Sequence, residues 1–128
     1  MLLIKTYINK STIPNAGMGC FAAEDVKQGD LIWELDTLFD NVYTAETVNS
    51  MNELYKEYIN TYAFKTNGLY FLCNDNARFF NHSEDPNTYD PLNEFKTYAL
   101  KDIKKGDEIL SDYKTFGSSE DLEFNSVL

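Results

Sequence analysis

Short apolar runs broken by polar turns dominate this chain. Leu2 to Ile8, Leu31 to Leu35, Leu69 to Cys73 and Phe95 to Leu100 are brief and rich in aromatic and β-branched residues, a pattern that predicts strands. One stretch reads differently. Val48, Met51, Tyr55, Tyr58, Ile59 and Tyr62 recur at spacings of three and four behind Thr44, which predicts one amphipathic helix with Thr44 as N-cap and this stripe as its core face. The pattern also repeats itself. Phe21 to Ile32 can be laid on Tyr98 to Ile109, 77 residues later, with six of twelve positions identical, and each copy centres on Lys-x-Gly-Asp. A single echo is too little for a solenoid. It predicts two similar β-turns, each joining a strand end to a further strand, with glycine at a positive-φ position.

Length and composition narrow the class. A chain of 128 residues is one domain, large enough to bury a core without metal or disulfide. Apolar content of 43%, with nine Phe, nine Tyr and one Trp, excludes a disordered tail. Cys20 and Cys73 stand far apart without a CxxC spacing or histidine partners, so they read as buried free thiols and no metal site is expected. No apolar run approaches the ~18 residues of a membrane span, and Lys5 interrupts the opening Met-Leu-Leu-Ile too early for a signal-peptide core. The expectation is a soluble, intracellular protein. A net charge of −10 and a pI near 4.4 argue against nucleic acid as the primary partner, because phosphate neutralisation needs clustered Lys and Arg. A basic protein or peptide fits better, although acidic charge also serves plain solubility.

Three segments can carry chemistry. In Asn15-Ala16-Gly17-Met18-Gly19-Cys20-Phe21 two glycines flank one residue, which lets the backbone turn sharply and present its N–H and C=O groups. It is not a dinucleotide loop, since no strand-turn-helix frame follows. Residues 78–87, Arg-Phe-Phe-Asn-His-Ser-Glu-Asp-Pro-Asn, hold the single histidine, His82, among hydrogen-bonding side chains. A Ser-His-acid hydrolase would need a GxSxG elbow, which is absent. The third segment, Gly106-Asp107-Glu108-Ile109-Leu110-Ser111-Asp112-Tyr113, ends a strand-like run on a tyrosine.

In this order the three segments resemble a SET-domain protein lysine methyltransferase, a small stand-alone member of that family. The matching pieces are the GxG turn at Gly17 to Gly19, the RFxNHSxxPN loop at Arg78 to Asn87, and the GDELxxDY-like strand at Gly106 to Tyr113. The resemblance runs from about Tyr7 to Tyr113, leaving a short tail, 114–128, within a single domain spanning 1–128. It implies a mainly β fold of several small sheets with one inserted helix, in which the C-terminal segment threads a loop of the preceding chain as a pseudoknot and brings Asn81-His82 beside Tyr113. It further implies S-adenosyl-L-methionine as cofactor, lying against Gly17, Met18 and Gly19, with Asn81 and His82 holding its adenine end. Tyr113 becomes the catalytic tyrosine, Tyr7 and Tyr89 are candidates for the wall of a lysine channel, and Arg78 and Phe79 are structural supports.

The departures from the family pattern also carry information. Glu84 stands where many members have Cys, and no cysteine triplet follows Tyr113, so no zinc-bearing post-domain is expected. Phe116, or a second subunit in a homodimer, is left to close the cofactor pocket. Ser111 stands where many members have Phe, which leaves the channel width and the number of methyls added open. Two function classes stay in play: an enzyme methylating lysine in a basic, histone-like or other protein, and a catalytically weak module using the same groove to bind a peptide.

Overall fold

The computed structural model describes residues 1–66, 68–92 and 94–112. Tyr113, Phe116 and the rest of the tail lie outside the described residues. The expected mainly β class holds: the described residues form four small sheets. Strands β1 (Thr6–Lys10) and β2 (Met18–Ala22) make an antiparallel hairpin in which Tyr7 faces Phe21 and Lys10 faces Met18. Strands β3 (Leu31–Glu34) and β4 (Asn41–Thr44) lead to helices α1 (Ala45–Asn49) and α2 (Glu53–Tyr62), then to β5 (Phe64–Thr66) and β6 (Leu69–Leu72). A 3-10 turn at Asn76–Phe79 precedes β7 (Asn81–His82), β8 (Thr88–Tyr89), β9 (Lys96–Ala99) and β10 (Leu110–Ser111). The three-stranded sheets are ordered β3-β9-β8 and β4-β6-β5, and β10 runs parallel to β7.

The helical stretch follows expectation at its start and departs from it in the middle. Thr44 Oγ1 accepts from the amide of Thr47 at 3.1 Å, as an N-cap should. The single helix is however two, because Asn52 caps a second one by accepting from Tyr55 N at 3.0 Å. That restart turns the apolar stripe. Val48 and Ile59 are buried, Met51 and Tyr62 pack against their cluster, but Tyr55 and Tyr58 stand 63% and 42% exposed. Tyr58 has a different partner: the Arg78 guanidinium lies 5.8 Å from its ring and 5.9 Å from that of Tyr62, while Arg78 Nε donates to Cys73 O at 2.9 Å. Arg78 thus ties α2 to the chain that runs into β7.

Two strand ends also fall short of the apolar runs that predict them. Leu2 makes only an isolated bridge to Trp33, since the chain bends before β1. Phe95 takes a left-handed φ of 54°, a conformation that an aromatic residue rarely holds, and β9 begins one residue later.

The echo proves to be a local two-fold arrangement in which the copies pair with each other. Val26 and Ile103 exchange both backbone hydrogen bonds, at 2.7 and 2.8 Å. Gly29 N donates to Ala99 O as Gly106 N donates to Ala22 O, both at 2.8 Å, and Ala99 N to Asp30 O as Ala22 N to Asp107 O, both at 2.9 Å. Even the side chains reciprocate: Gln28 N donates to Asp102 Oδ1 at 2.8 Å, and Lys105 N to Asp25 Oδ1 at 2.9 Å. Gly29 and Gly106 carry φ of 88° and 97°, where a side chain would be strained. The first copy delivers the chain into β3. The second delivers it into 108–111.

That last segment is surrounded. Ile109 N donates to Cys20 O at 2.8 Å, Ser83 N to Ser111 O at 2.9 Å, and Asn87 N to Leu110 O at 3.3 Å. The 81–88 stretch wraps around it and forms the threaded crossing. Apolar burial holds it there: Ile109 is fully buried beside Cys20, Ala22, Ile103 and Ala99, a placement that contributes about 2 kcal/mol for that side chain alone. Cys20 and Cys73 are buried free thiols, and burial pushes the Cys20 thiol up to about 12.

Beside this crossing, Asp90 gives the fold a built-in pH dependence. Thr97 Oγ1 donates to Asp90 Oδ1, while Oδ2 has no hydrogen-bond partner among the described residues. Burial raises the carboxyl from an ordinary 3.8 to about 6 despite the Thr97 bond. The folded domain therefore binds this proton more tightly than the unfolded chain does. The resulting stability is full below about pH 4 and is lost as pH rises through about 6. Asp90→Asn is expected to raise stability at pH 7.5 by on the order of 1 to 2 kcal/mol and to leave it unchanged at pH 4. Urea melts at the two pH values check this, and an equal effect at both would contradict it.

Candidate functional site

The three segments singled out in the sequence come together around one carboxylate. The β1–β2 hairpin loop closes when Ser11 N donates to Gly17 O at 2.8 Å, and Gly17 takes φ of 73° to enter β2. A Cβ on Gly17 would meet nothing within 4 Å, whereas one on Gly19 would sit 2.2 Å from Glu108 Oε2. Met18, between them, is 47% exposed. The turn therefore presents one open face and lays its other face on Glu108.

Glu108 is buried, and hydrogen bonds converge on it. Ser11 Oγ donates to Oε2 at 2.8 Å, and Thr12 N and Oγ1 donate to Oε1 at 2.7 and 2.6 Å. Asn81 Nδ2 donates to Oε2 at 3.1 Å and to Met18 O at 3.0 Å. Burial acts to raise the carboxyl's pKa, and the bonds from Thr12, Asn81 and Ser11 together outweigh it, leaving the group below its ordinary value. Its charge is held ionised by neutral donors, without an ion pair to a described residue.

Asn81 and His82 reach this place through β7, whose register pairs Asn81 with Leu110 and His82 with Ser111. His82 Nδ1 lies 3.7 Å from Asp112 Oδ1, so the chain leaves the described residues beside His82. Ser111 is 2% exposed, and its Oγ shares a 3.1 Å hydrogen bond with Thr88 Oγ1. Asn87 clips the same segment from the far side, donating from Nδ2 to Glu108 O and accepting at Oδ1 from Leu110 N, both at 2.8 Å.

Tyr7 and Tyr89 stand apart from this carboxylate cluster. Each is 39% exposed and stacked on its strand neighbour, Tyr7 on Phe21 and Tyr89 on Tyr98, with ring centroids 5.4 Å apart in both pairs. The described residues contain no group of three or more His, Cys, Asp or Glu arranged to hold a metal, and none of their helices is long and apolar enough to cross a membrane.

Ser11, Thr12 and Glu108 are the site residues that motif reading passes over. A signal for Glu108 is present in the echo, where Leu31 of the first copy is replaced by a carboxylate that runs straight into Ile109 and Leu110. A charge inside a buried strand needs partners. Ser11 and Thr12 carry no comparable mark, since they look like ordinary turn residues.

Comparison with known proteins agrees with this arrangement. The SET domain family model matches residues 17–114, while curated protein sequences yield no match. A candidate histone methyltransferase of Plasmodium falciparum is similar in structure, with 25% identity and a TM-score of 0.60 over 88% of this chain and 95% of that one. A humanized mutant of Chaetomium thermophilum Polycomb Repressive Complex 2, bound to an inhibitor, shares the fold at 22% identity and a TM-score of 0.66 over 90% of this chain. So does ctPRC2 in an autoinhibited conformation bound to S-adenosylmethionine, at 23% identity and a TM-score of 0.66 over 97% of this chain. In both cases the chain spans only 16% of the polycomb protein's length. With a family match running from the GxG turn to just past the threaded strand, this chain belongs to the SET-domain family.

Proposed function

We propose that the chain transfers a methyl group from S-adenosyl-L-methionine to the side-chain amine of lysine in a basic protein substrate. The observation that carries this reading is the convergence of the Gly17–Gly19 turn, Asn81-His82 and the threaded 108–112 segment on one place. Membership of the SET family and the similarity to a candidate histone methyltransferase support it.

The residues present fit the cofactor. Gly17 leaves open space where a side chain would stand, and Glu108 supplies a buried negative charge under a turn that would receive a cationic ligand. When bound, S-adenosylmethionine supplies a methyl group on a sulfonium, electrophilic enough to be attacked in line by a neutral amine. In this reading the backbone of Gly17, Met18 and Gly19 carries the methionine end, and Asn81 and His82 hold the adenine end.

The lysine has to arrive without its proton. With an ordinary pKa near 10.4, about one lysine in a thousand is neutral at pH 7.4, a cost of roughly 4 kcal/mol. An apolar channel walled by Tyr7 and Tyr89 disfavours the ammonium, and the proton leaves to water before the substrate is fully enclosed. Ser111, buried against Thr88, leaves the width of that channel and the number of methyls added open. Tyr113, which follows Asp112 in the chain, orients the amine through its hydroxyl, and Phe116 or a second subunit is left to close the cofactor pocket. The net charge of −10 draws basic flanking residues of the substrate.

Incubating the purified chain with labelled S-adenosylmethionine and a mixture of basic proteins tests the proposal. Label is expected on lysine, with Tyr113→Phe at least about tenfold slower and its cofactor affinity, read by calorimetry, unchanged. No transfer by the wild type, or equal transfer by both proteins, would overturn the reading. Cofactor binding without transfer would instead identify a binding module.

A further inference from the structure

Glu108 puts its charge against the cofactor turn and belongs to none of the groups that react. Its residue is 5% exposed, and its carboxylate touches four neutral donors, Ser11 Oγ, Thr12 N, Thr12 Oγ1 and Asn81 Nδ2. A buried carboxylate with no counter-ion among the described residues is costly to keep. Hydrogen bonds from neutral groups stabilise the charge and leave it uncancelled. The carboxylate is also pressed against the cofactor turn, with Oε2 lying 2.2 Å from where a Gly19 Cβ would be. A fixed negative charge therefore lies directly beneath the Gly17–Gly19 backbone, in a water-poor setting where it is felt more strongly than at the surface.

We propose that Glu108 is a positioning residue whose fixed charge makes this site prefer cationic S-adenosylmethionine to its neutral product, S-adenosylhomocysteine. This rests on the cofactor reading above. The substrate form carries a sulfonium, an ammonium and a carboxylate. Transfer of the methyl to lysine leaves a thioether, and the sulfonium charge is gone. An anion fixed under the turn stabilises the first form more than the second, so the reaction itself loosens the hold on its product. Glu108 also fixes the Asn81 amide. With Nδ2 donating to both Met18 O and Glu108, Oδ1 is turned the other way as an acceptor.

The test is calorimetric titration of the full chain with S-adenosylmethionine and, separately, S-adenosylhomocysteine. Glu108→Gln keeps the size and removes the charge, and it is expected to lower affinity for the sulfonium form by about tenfold more than affinity for the product. Glu108→Asp keeps the charge on a shorter arm. Both affinities are then expected to fall while their ratio stays within about twofold of wild type. Equal losses for the two ligands in Glu108→Gln would overturn the proposal and leave Glu108 as a purely structural clamp. If circular dichroism shows Glu108→Gln to be unfolded, the wild-type ratio decides: affinity about tenfold or more in favour of the sulfonium form supports the charge effect, and equal affinities or a preference for the product overturn it. Wild type binding neither nucleoside would remove the cofactor reading itself, a result distinct from any change in ratio.

Discussion

Gly19→Ala is expected to abolish measurable cofactor binding and to destabilise the domain by about 3 kcal/mol or more, the range in which core overpacking and broken buried networks fall. The added methyl would stand 2.2 Å from Glu108 Oε2, 2.9 Å from its Cδ and 3.2 Å from Asn81 Nδ2. Relief by moving the carboxylate is blocked, because Ser11 and Thr12 hold both of its oxygens. Relief by moving the turn would break the Asn81 bond to Met18 O and shift the surface on which the cofactor lies. Gly17→Ala provides the contrast. Nothing lies within 4 Å of that methyl, so only the φ of 73° opposes it, at about 1 to 2 kcal/mol. Guanidinium melts and calorimetry of the two variants side by side check the claim. Equal destabilisation by both would mean that Glu108 does not define this turn.

The contrast between the two glycines also measures what the sequence could disclose. Both are visible as a GxG pattern, and Gly17 could be assigned a positive-φ turn from local rules alone. The reason for Gly19 is a carboxylate 89 positions on (19 to 108), which only the tertiary arrangement supplies. The Lys-x-Gly-Asp turns were legible for the same local reason as Gly17: their glycines and aspartates act within four residues, as in Lys27 N to Asp30 Oδ2 at 3.1 Å and Lys104 N to Asp107 Oδ2 at 3.0 Å. That the two copies pair with each other was not legible, since identity at a spacing of 77 says nothing about contact. Apolar periodicity runs unbroken from Val48 to Tyr62 and so predicts one helix, while the break depends on Asn52 Oδ1 accepting from Tyr55 N. The threaded crossing came from family resemblance and not from pattern. Its two-residue strands β7 and β10 are too short to leave a periodic trace.

Asn87→Ala is expected to lower stability by about 2 kcal/mol, because two part-buried backbone groups lose their partners together. The Asn87 side chain acts as a neighbouring strand would, donating to Glu108 O and accepting from Leu110 N at 2.8 Å each. Between those two residues lies Ile109, 0% exposed, and just beyond them Ser111, 2% exposed, so water has little room to replace the amide. Asn87→Asp separates donor from acceptor. The carboxylate still accepts from Leu110 N, but it has no proton to give Glu108 O and instead sets a negative charge against that carbonyl. It is expected to be worse than alanine at pH 7, and to recover below about pH 4, where a protonated carboxyl donates again. Urea melts of the three proteins at pH 7 and pH 3.5 separate these cases. If Asn87→Asp matched wild type at pH 7, the Asn87 side chain would add nothing to the backbone bonds and apolar burial that hold the threaded segment. In that event the hydrogen-bonded route from Asn87 to Glu108, and through it to Asn81 and the glycine turn, would carry no energy. Loss of both stability and cofactor affinity in Asn87→Ala, at a residue whose side chain, among the described residues, bonds to the backbone of the crossing, would show that the cofactor turn is set by how the C-terminal segment is threaded.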